Sequence, residues 1–422
     1  MDKFIINGGL PLKGHVKISG AKNAALAIMP ATLLNAGQNI LYNTPQVNDV
    51  YTMNKLLNNL GVETDYSGFT LKINTSDITS QVAPYEHVKK MRASVYVLGP
   101  LLSRFGYAKV SLPGGCAWGP RPINLHLEGL RKMGAEIELD DGYIIARASK
   151  LKGAKINLDV SSVGATGNLM MAATLAKGTT IISNAAIEPE MTLLADYLTR
   201  MGARISGAGT AVLEIQGVDE LYPADITNLP DRIEAGTILI AGAITRGCIT
   251  IEDVDPAHLA SVISRLEESG AKISIKGYSV NIDMTDIQYI NPCDIHTSIY
   301  PGFPTDMQAQ WTAYMCLAEG SSVVTDSIYV DRFKHVPELI RMGANIQIHE
   351  NSVTVKGVKK LKSAKVMSTD LRASASLVLA GLAAEGHTEV LRIYHIDRGY
   401  QRIEEKLISL GARIERVTST EY

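Results

Sequence analysis

The chain has 422 residues and carries 41 Lys and Arg against 43 Asp and Glu, so its formal net charge is −2. This length is two to three times that of one typical hydrophobic core and predicts two domains of about 200 residues each. The near-neutral charge argues against a general nucleic-acid binder or a membrane-surface protein, so any anion site has to be local.

The cysteines and histidines show no metal-binding pattern. Four cysteines, at positions 116, 248, 293 and 316, form no Cys-x-x-Cys pair, and the nine histidines include no His-Glu-x-x-His motif. The sequence therefore predicts no structural metal, no disulfide framework and no cofactor. The N-terminal MDKFIINGGLPLKG lacks the apolar stretch of a signal peptide, and windows such as TILIAGAI are too short to cross a bilayer. We expect a soluble cytoplasmic protein without membrane insertion.

One short phrase recurs along the chain, each time as an amphipathic helix that ends in glycine before an alternating strand. Successive copies are 73, 68, 68, 73 and 68 residues apart, and their glycines are Gly61, Gly134, Gly202, Gly270, Gly343 and Gly411. A glycine at this place predicts a helix end with positive φ, and the charged face predicts an exposed helix.

A second phrase runs in step with the first and consists of a small-residue helix, a glycine and a β-branched strand. Its copies are residues 21–43, 91–112, 162–184, 231–253, 304–326 and 370–392. Helices rich in Ala and Gly allow close packing on all sides, so we expect these helices to be buried. Each repeat then holds two helices and about four strands, which is a βαβαββ-like unit.

Six such units divide naturally into three per domain. We place the first domain at residues 20–229 and the second at residues 1–19 and 230–422, with the N-terminal strand pairing in the second half so that the chain crosses between domains twice. The alternative is a solenoid, which we disfavour because solenoid repeats are shorter than about 70 residues.

Charged residues mark the beginnings of the small-residue helices. They are Lys22 with Asn23, Arg92, Arg232 with Glu234, Asp306, and Asp370 with Arg372. A helix N-terminus has free N–H groups and about half a positive charge, so a cation placed there makes sense when an anion joins it. The alternative is that each charge pairs with an acid of the same chain, for example Arg232 with Glu234.

Further candidates lie in loops. Cys116 stands in SLPGGCAWGPR (residues 111–121), between glycines and close to Arg121, and two more loop arginines are Arg332 and Arg398. Arginine makes bidentate contacts with phosphate and carboxylate, so these residues indicate a small polyanionic substrate. The nucleotide-binding motifs GxxxxGK[ST] and GxGxxG are absent from the sequence.

Several segments resemble the UDP-N-acetylglucosamine 1-carboxyvinyltransferase family over essentially the whole chain. They are SGAKNAAL, LPGGCAWGPRPINLHL, SVGATGN, PDRIEAGT, FPTDMQAQ, DRFKHVPELIRMGA, TDLRASASLVLAGLAAEG and IYHIDRGY. The resemblance implies an α/β fold, the two-domain inside-out α/β barrel with six repeats, three per domain. It also implies transfer of the enolpyruvyl group of phosphoenolpyruvate to the 3′-hydroxyl of UDP-N-acetylglucosamine, through a tetrahedral intermediate that expels phosphate. This reaction opens peptidoglycan precursor synthesis.

The resemblance assigns roles residue by residue. Lys22, Arg121 and Arg398 are expected to hold phosphoenolpyruvate, with Arg332 and Arg372 near its carboxylate or tuning closure. Asn23 and Asp306 are expected to face the sugar, with Asp306 as the base. The residues expected to bind the sugar nucleotide are Arg92, Arg121, Pro122, Ile123, Asn124, Leu125, Ser162, Val163, Gly164 and Ile328, and Asp370 joins the substrate-binding set.

Cys116 is expected to be the general acid on a lid loop, to form a covalent adduct with phosphoenolpyruvate, and to react with fosfomycin. A thiol with a pKa of about 8.5 is mostly protonated at neutral pH, which suits an acid. The other three cysteines are expected to be packing residues. The chain departs from the family pattern at Asn124, where an acid is common, at Val160, where a lysine is common, and at YVDRF.

Two alternatives remain beside this reading. The first is 5-enolpyruvylshikimate-3-phosphate synthase, which shares the fold and the donor but lacks a lid cysteine in PGGC. The second is a non-catalytic paralogue that binds the sugar nucleotide, which the presence of Lys22, Cys116, Asp306 and Arg398 disfavours. The sequence does not determine the oligomeric state.

Overall fold

The structure is a computed structural model that describes residues 2–89, 91–112 and 123–418. The chain divides into two compact units: residues 20–229 form one, and residues 1–19 with 230–422 form the other. We name them the middle unit and the terminal unit.

The strands, in chain order, are β1 (Asp2–Gly8), β2 (Lys13–Lys17), β3 (Gln38–Tyr42), β4 (Glu63–Ser67), β5 (Thr70–Asn74), β6 (Val82–Ala83), β7 (Tyr107–Ser111), β8 (Glu136–Asp140), β9 (Tyr143–Arg147), β10 (Lys155–Asn157), β11 (Thr179–Ser183), β12 (Arg204–Ser206), β13 (Val212–Gln216), β14 (Asp225–Thr227), β15 (Cys248–Glu252), β16 (Lys272–Lys276), β17 (Ser279–Asp283), β18 (Ile295–Thr297), β19 (Ser321–Asp326), β20 (Asn345–His349), β21 (Ser352–Lys356), β22 (Lys365–Met367), β23 (Gly386–Leu391) and β24 (Arg413–Thr418).

The α-helices are α1 (Lys22–Ala31), α2 (Asn48–Asn59), α3 (Tyr85–Val88), α4 (Leu98–Phe105), α5 (Asn124–Lys132), α6 (Val163–Ala173), α7 (Pro189–Arg200), α8 (Arg232–Ile244), α9 (Ala260–Glu268), α10 (Gln308–Met315), α11 (Val336–Arg341), α12 (Leu371–Ala383) and α13 (Ile403–Ser409). Short 3₁₀ helices are Thr32–Leu34, Arg92–Val97, Pro256–Leu259, Thr305–Met307 and Ile393–Arg398.

The described strands form six four-stranded sheets with one recurring order. The repeat β10-α6-β11-α7-β12-β13 shows the pattern: its sheet has the order β10-β11-β13-β12, with β10 and β11 parallel and the other neighbours antiparallel. The order β18-β19-β21-β20 repeats it in the terminal unit. The predicted βαβαββ-like unit is confirmed, and each unit of the chain holds three copies.

Strands from distant parts of the sequence complete three of the sheets. β1 pairs with β23 and β24, and β2 pairs with β15, so the N-terminal strands belong to sheets of the second half, as predicted. β14 pairs in parallel with β3 and completes the first sheet of the middle unit. The chain passes between the units at residues 19–20 and again at residues 229–230.

The two predicted kinds of helix are present. The small-residue helices are almost wholly buried; α8 is buried from Ile233 to Ile244 and α12 from Leu371 to Leu382. The helices before the recurring glycines bury one face only, and each of the six glycines has a φ between +88° and +105°. Glycine adopts this conformation without a Cβ clash, so it ends the helix and starts the strand.

Each unit has its own hydrophobic core. Cys293 and Cys316 are buried in the terminal unit, and burial raises their pKa values to about 11 and about 12. Cys248 is half-buried at the beginning of β15, where Asn281 contacts its sulfur. These positions agree with the expectation that the three cysteines are packing residues.

Among the described helices, none combines the length and the apolar character that a bilayer crossing requires.

Candidate active site

Lys22 is the first residue of α1, as the sequence predicts, and Asn23 follows it. The Lys22 Nζ lies 3.5 Å from Asp49 Oδ2, and the two side chains are only 12% and 5% exposed. Asp49 lies in the first turn of α2 and was not among the predicted residues. The carboxylate offsets the unfavourable placement of an ammonium group at a helix N-terminus. Internal pairing, the alternative reading of these charges, therefore holds for Lys22.

Ser162, Val163 and Gly164 form the beginning of α6. Ser162 is the N-cap, and its Oγ accepts a hydrogen bond from Ala165 N at 3.3 Å. Tyr96 donates its hydroxyl to the Val163 carbonyl at 3.2 Å, and burial, with Glu188 and Glu190 nearby, raises the Tyr96 pKa so that the hydroxyl stays protonated. The first turn of α6 thus has fixed geometry and N–H groups without a partner inside the helix.

Arg92 begins the 3₁₀ helix Arg92–Val97 and lies close to His126 on α5. The His126 ring is buried, and its Nδ1 is 3.0 Å from Asn168 Nδ2 on α6. Burial and the Arg92 charge lower the His126 pKa to about 4, so the ring is neutral at physiological pH. His126 lies beside two predicted residues, Arg92 and Gly164, yet sequence reasoning missed it because its partners are 34 or more residues away.

In the terminal unit, the Asp306 carboxylate forms ion pairs with two arginines. Arg332 Nη2 lies 2.8 Å from Asp306 Oδ1, and Arg372 Nη2 lies 2.7 Å from Asp306 Oδ2. Both arginines are buried, whereas the Asp306 side chain is 24% exposed. Burial disfavours the charged Arg372, but the Asp306 carboxylate more than compensates and raises the Arg372 pKa above its usual value. The structure therefore brings together three residues that the sequence assigned to the site.

A buried aspartate that the sequence did not indicate holds this cluster in place. Asp326, at the end of β19, accepts hydrogen bonds from Thr305 Oγ1 at 2.6 Å and from Ile328 N at 3.0 Å. Thr305 in turn accepts one from Arg332 Nη1 at 2.9 Å. The chain from Asp326 through Thr305 to Arg332 fixes the guanidinium, and the same carboxylate fixes the loop that presents Ile328, whose side chain is exposed.

Asp370 is the N-cap of α12. Its Oδ1 accepts hydrogen bonds from the backbone N–H groups of Arg372 and Ala373, at 2.9 and 3.1 Å. This bonding places the backbone of Arg372 at the beginning of the helix, from which its side chain reaches Asp306. Asp370 thus has a structural role in addition to the substrate contact that the sequence assigns to it.

Arg398 ends the 3₁₀ helix Ile393–Arg398 and is half-buried. It lies close enough to His395 to influence it: burial lowers the His395 pKa, Asp370 opposes that shift, and the charges of Arg398 and Arg392 strengthen it. Arg232 lies over the Tyr300 ring at 5.4 Å.

Glu234 accepts a short hydrogen bond from Lys406 Nζ. The alternative reading gave Arg232 as the example of a partner for Glu234, whereas in the structure the partner is Lys406 on α13.

Three predicted residues, Cys116, Arg121 and Pro122, lie outside the described residues. Ile123 is half-buried just before α5, Asn124 is exposed as its first residue, and Leu125 is buried. Val160, where the family pattern has a lysine, is 55% exposed.

The described residues contain no group of three or more His, Cys, Asp or Glu side chains that could hold a metal ion. Each unit instead concentrates cations at the beginnings of buried helices. Such groups can hold phosphate and carboxylate, and the Asp306 carboxylate can accept a proton.

Comparison with known proteins agrees with this chemistry. Residues 6–407 match the family model described as EPSP synthase (3-phosphoshikimate 1-carboxyvinyltransferase). A protein of Chloroherpeton thalassium named UDP-N-acetylglucosamine 1-carboxyvinyltransferase is 56% identical, with 100% of this chain and 99% of the relative covered. A protein of the same name from Desulfatibacillum aliphaticivorans is 52% identical, with 99% and 100% covered.

Solved structures show the same fold. The enolpyruvyl transferase NikO from Streptomyces tendae matches with a TM-score of 0.89 at 25% identity, and 99% of each chain is covered. EPSP synthase from Acinetobacter baumannii, at 18% identity, shares the fold with a TM-score of 0.75 over 99% of this chain and 100% of the other. The chain therefore belongs to the EPSP synthase family of carboxyvinyltransferases, among the transferases named UDP-N-acetylglucosamine 1-carboxyvinyltransferase.

Proposed function

We propose that this transferase moves the enolpyruvyl group of phosphoenolpyruvate to the 3′-hydroxyl of UDP-N-acetylglucosamine and releases phosphate. In the cell this would be the first committed step of peptidoglycan precursor synthesis, in the cytoplasm. The observation that carries the choice of acceptor is the identity of 52–56% with relatives of that name over essentially the full length of the chain.

The reaction is an addition followed by an elimination. The 3′-oxygen forms a bond to C2 of phosphoenolpyruvate and loses its proton, while C3 gains a proton and becomes a methyl group. The C2–O bond to phosphate then breaks, and C3 loses a proton so that the double bond returns. The protein has to supply a base, an acid and cations for the phosphate and carboxylate.

Asp306 is the base in this proposal. The guanidinium groups of Arg332 and Arg372 favour its carboxylate form, so it is ready to accept the hydroxyl proton at neutral pH. Since a stabilised carboxylate is a weak base, we infer that Asp306 takes the proton as the C–O bond forms and not before. Its partial exposure leaves room for the sugar hydroxyl, with Asn23 as a further contact to the sugar.

The cations hold the donor. Lys22, Arg121 and Arg398 bind the phosphate and carboxylate of phosphoenolpyruvate, and Arg332 and Arg372 lie near its carboxylate. Lys22 exchanges part of its contact with Asp49 for the donor, which keeps the ammonium partnered before and after binding.

The remaining predicted residues hold the nucleotide. The first turn of α6 and Arg92 bind the diphosphate, and Ile123, Asn124, Leu125 and Ile328 lie along the uridine. The substitution of Val160 for lysine removes one cation from this region, so Arg92 carries more of the diphosphate contact.

Cys116 is the general acid in this proposal, on a lid loop of the domain that the middle unit forms. Its thiol protonates C3, and its thiolate is the group that fosfomycin alkylates. Cys116→Asp should keep activity with a lower pH optimum because a carboxyl has a pKa of about 3.9 against about 8.5 for a thiol. The same change should abolish inactivation by fosfomycin. A Cys116→Asp variant that is folded but inactive from about pH 5 to 9 would refute the general-acid role and favour a covalent role for Cys116 instead.

The test of the function measures phosphate release from phosphoenolpyruvate with one acceptor at a time. Release with UDP-N-acetylglucosamine and not with shikimate 3-phosphate supports the proposal. Release with shikimate 3-phosphate alone supports the sister synthase, and binding of the sugar nucleotide without release of phosphate indicates a non-catalytic paralogue.

A further inference from the structure

Asn168 is a fully buried amide in the middle of α6, and all of its hydrogen-bonding partners lie in the middle unit. Its Oδ1 accepts from Gly99 N at 2.6 Å, and its Nδ2 donates to the Val95 carbonyl at 2.9 Å. The same Nδ2 lies 3.0 Å from His126 Nδ1.

These contacts determine which way the amide faces. A backbone N–H requires an acceptor opposite it and a backbone carbonyl requires a donor, so Gly99 and Val95 together exclude the flipped amide. The nitrogen therefore faces His126, and an amide nitrogen can only donate. His126 Nδ1 has to be the unprotonated acceptor, and in a neutral ring the proton then resides on Nε2.

Neutrality of the ring has its own physical cause. His126 is 6% exposed, and a second positive charge beside Arg92 is unfavourable, which agrees with its pKa of about 4. Since no carboxylate is among the groups that shift this pKa, nothing in the described surroundings favours an imidazolium ion.

The protonated Nε2 faces the beginning of α6. A Cβ atom built on Gly164 would lie 3.1 Å from Nε2 and 3.3 Å from Cε1. Among the described residues, none accepts a hydrogen bond from Nε2. The donor therefore lies beside the first turn of α6, with Arg92 close by.

We propose that Asn168 is a positioning residue that locks His126 as a neutral Nε2–H donor, and that this N–H binds a phosphate oxygen of the sugar nucleotide beside Gly164. The inference rests on the proposed function, and it assigns roles to two residues that lie outside the predicted site. It also explains the glycine at position 164, because any larger residue there would displace the ring.

The first test is independent of any ligand. Ring ¹⁵N chemical shifts of ¹⁵N-histidine-labelled wild-type protein distinguish protonated from unprotonated nitrogen, and the spectrum of His126→Gln assigns the signal. We expect an unprotonated Nδ1 and a protonated Nε2 at neutral pH. The opposite tautomer or an imidazolium would overturn the proposal.

The second test separates the donor from the rest of the ring. Glutamine can place its amide nitrogen where Nε2 was, whereas asparagine reaches only the position of Nδ1. Titration calorimetry with UDP-N-acetylglucosamine should show His126→Asn binding at least about tenfold more weakly than His126→Gln, as expected for a lost hydrogen bond to a charged group. Equal affinities of the two variants would refute the role of the N–H.

The third test concerns Asn168 itself. Asn168→Asp replaces the donor with an acceptor, so Nδ1 becomes protonated and a neutral ring loses its Nε2 proton. We expect about tenfold weaker nucleotide binding at pH 8, together with ¹⁵N shifts that show Nδ1 protonated and Nε2 unprotonated. In the His126→Gln background the same substitution should have less than about a threefold effect. An equal loss in both backgrounds would mean that Asn168 is merely structural.

A matched control is Asn39→Asp, which buries the same new carboxylate in the same unit. Asn39 is fully buried, but its amide bonds Asn35 and Tyr197 and not His126. It should lower the melting temperature about as much as Asn168→Asp while leaving the nucleotide affinity within about threefold. A wild-type protein that does not bind UDP-N-acetylglucosamine would refute the proposed function. If the wild-type protein binds the nucleotide and His126→Asn binds it as tightly as His126→Gln, only this inference is refuted.

Discussion

Replacing Arg372 by methionine should destabilise the terminal unit and change the titration of Asp306. Methionine retains much of the buried volume but removes the guanidinium that lies 2.7 Å from Asp306 Oδ2. Breaking a fully buried ion pair costs about 3–5 kcal/mol because the remaining charge is left without its partner. Asp306 keeps Arg332 at 2.8 Å and is 24% exposed, so we expect a smaller loss of about 2–3 kcal/mol.

The assay has two parts. Thermal unfolding gives the melting temperature, and hydrogen exchange shows whether the loss of stability lies in the terminal unit. For a unit of this size, about 2–3 kcal/mol corresponds to a decrease in melting temperature of roughly 4–12 °C. Arg341→Met is the matched control: the Arg341 side chain is 59% exposed and its Nε lies 3.5 Å from Glu338 Oε2, so the change should cost less than about 1 kcal/mol. The double variant Arg372→Met with Asp306→Asn should lose less than the sum of the single changes.

The same substitution should change the pH dependence of catalysis in a definite direction. Loss of a neighbouring positive charge disfavours the carboxylate, so the pKa of Asp306 should rise in Arg372→Met. The acidic limb of the pH profile of kcat should then move to higher pH. An acidic limb that stays in place while stability falls as expected would refute Asp306 as the base. Unchanged stability in both Arg372→Met and Arg341→Met would refute the electrostatic reasoning.

Three more predictions concern His126, Cys293, Cys316 and Gly164, together with His335, a buried residue just before α11. Burial lowers the pKa values of His126 and His335 to about 4, so between about pH 6.5 and 4 the unfolded chain binds protons that the folded chain does not. The free energy of unfolding should therefore decrease as the pH falls through this range, by about 2 kcal/mol per histidine at pH 5. Urea titrations at several pH values measure this decrease. Iodoacetamide at neutral pH should leave Cys293 and Cys316 unmodified in the folded protein, since their thiols are buried and protonated, and peptide mass spectrometry would reveal any labelling. Gly164→Ala should weaken nucleotide binding in calorimetry because its Cβ would press on the His126 ring, and an unchanged affinity would contradict that close contact.

Much of the fold is readable from local patterns. The small-residue helices, the six recurring glycines and the alternating strands each depend on residues a few positions apart, and the structure confirms them. The beginnings of the helices also fixed the positions of Lys22, Arg92 and Arg372. A positive charge at a helix N-terminus is a strong local signal because it has an electrostatic cost that needs a reason.

The partners of those charges could not be predicted in the same way. Asp49 meets Lys22 across 27 residues, and Arg372 meets Asp306 across 66. The first pair depends on how α1 and α2 pack within one repeat and the second on which repeats become neighbours, and no local pattern in the sequence encodes either. The role of Asn168 could not be predicted for a further reason. Within a helix of small residues, nothing distinguishes this asparagine from other polar helix residues until its contacts with Gly99 and Val95 are known.

The central claim is that this chain makes an enolpyruvyl ether at the 3′-oxygen of a sugar nucleotide. The most direct measurement is incubation of the purified protein with phosphoenolpyruvate and UDP-N-acetylglucosamine, followed by mass spectrometry and NMR of the nucleotide product. We predict one enolpyruvyl group per nucleotide, attached at the 3′-oxygen and formed in equal amount with phosphate. A folded protein that leaves the nucleotide unmodified, or that attaches the group to shikimate 3-phosphate instead, would contradict the account.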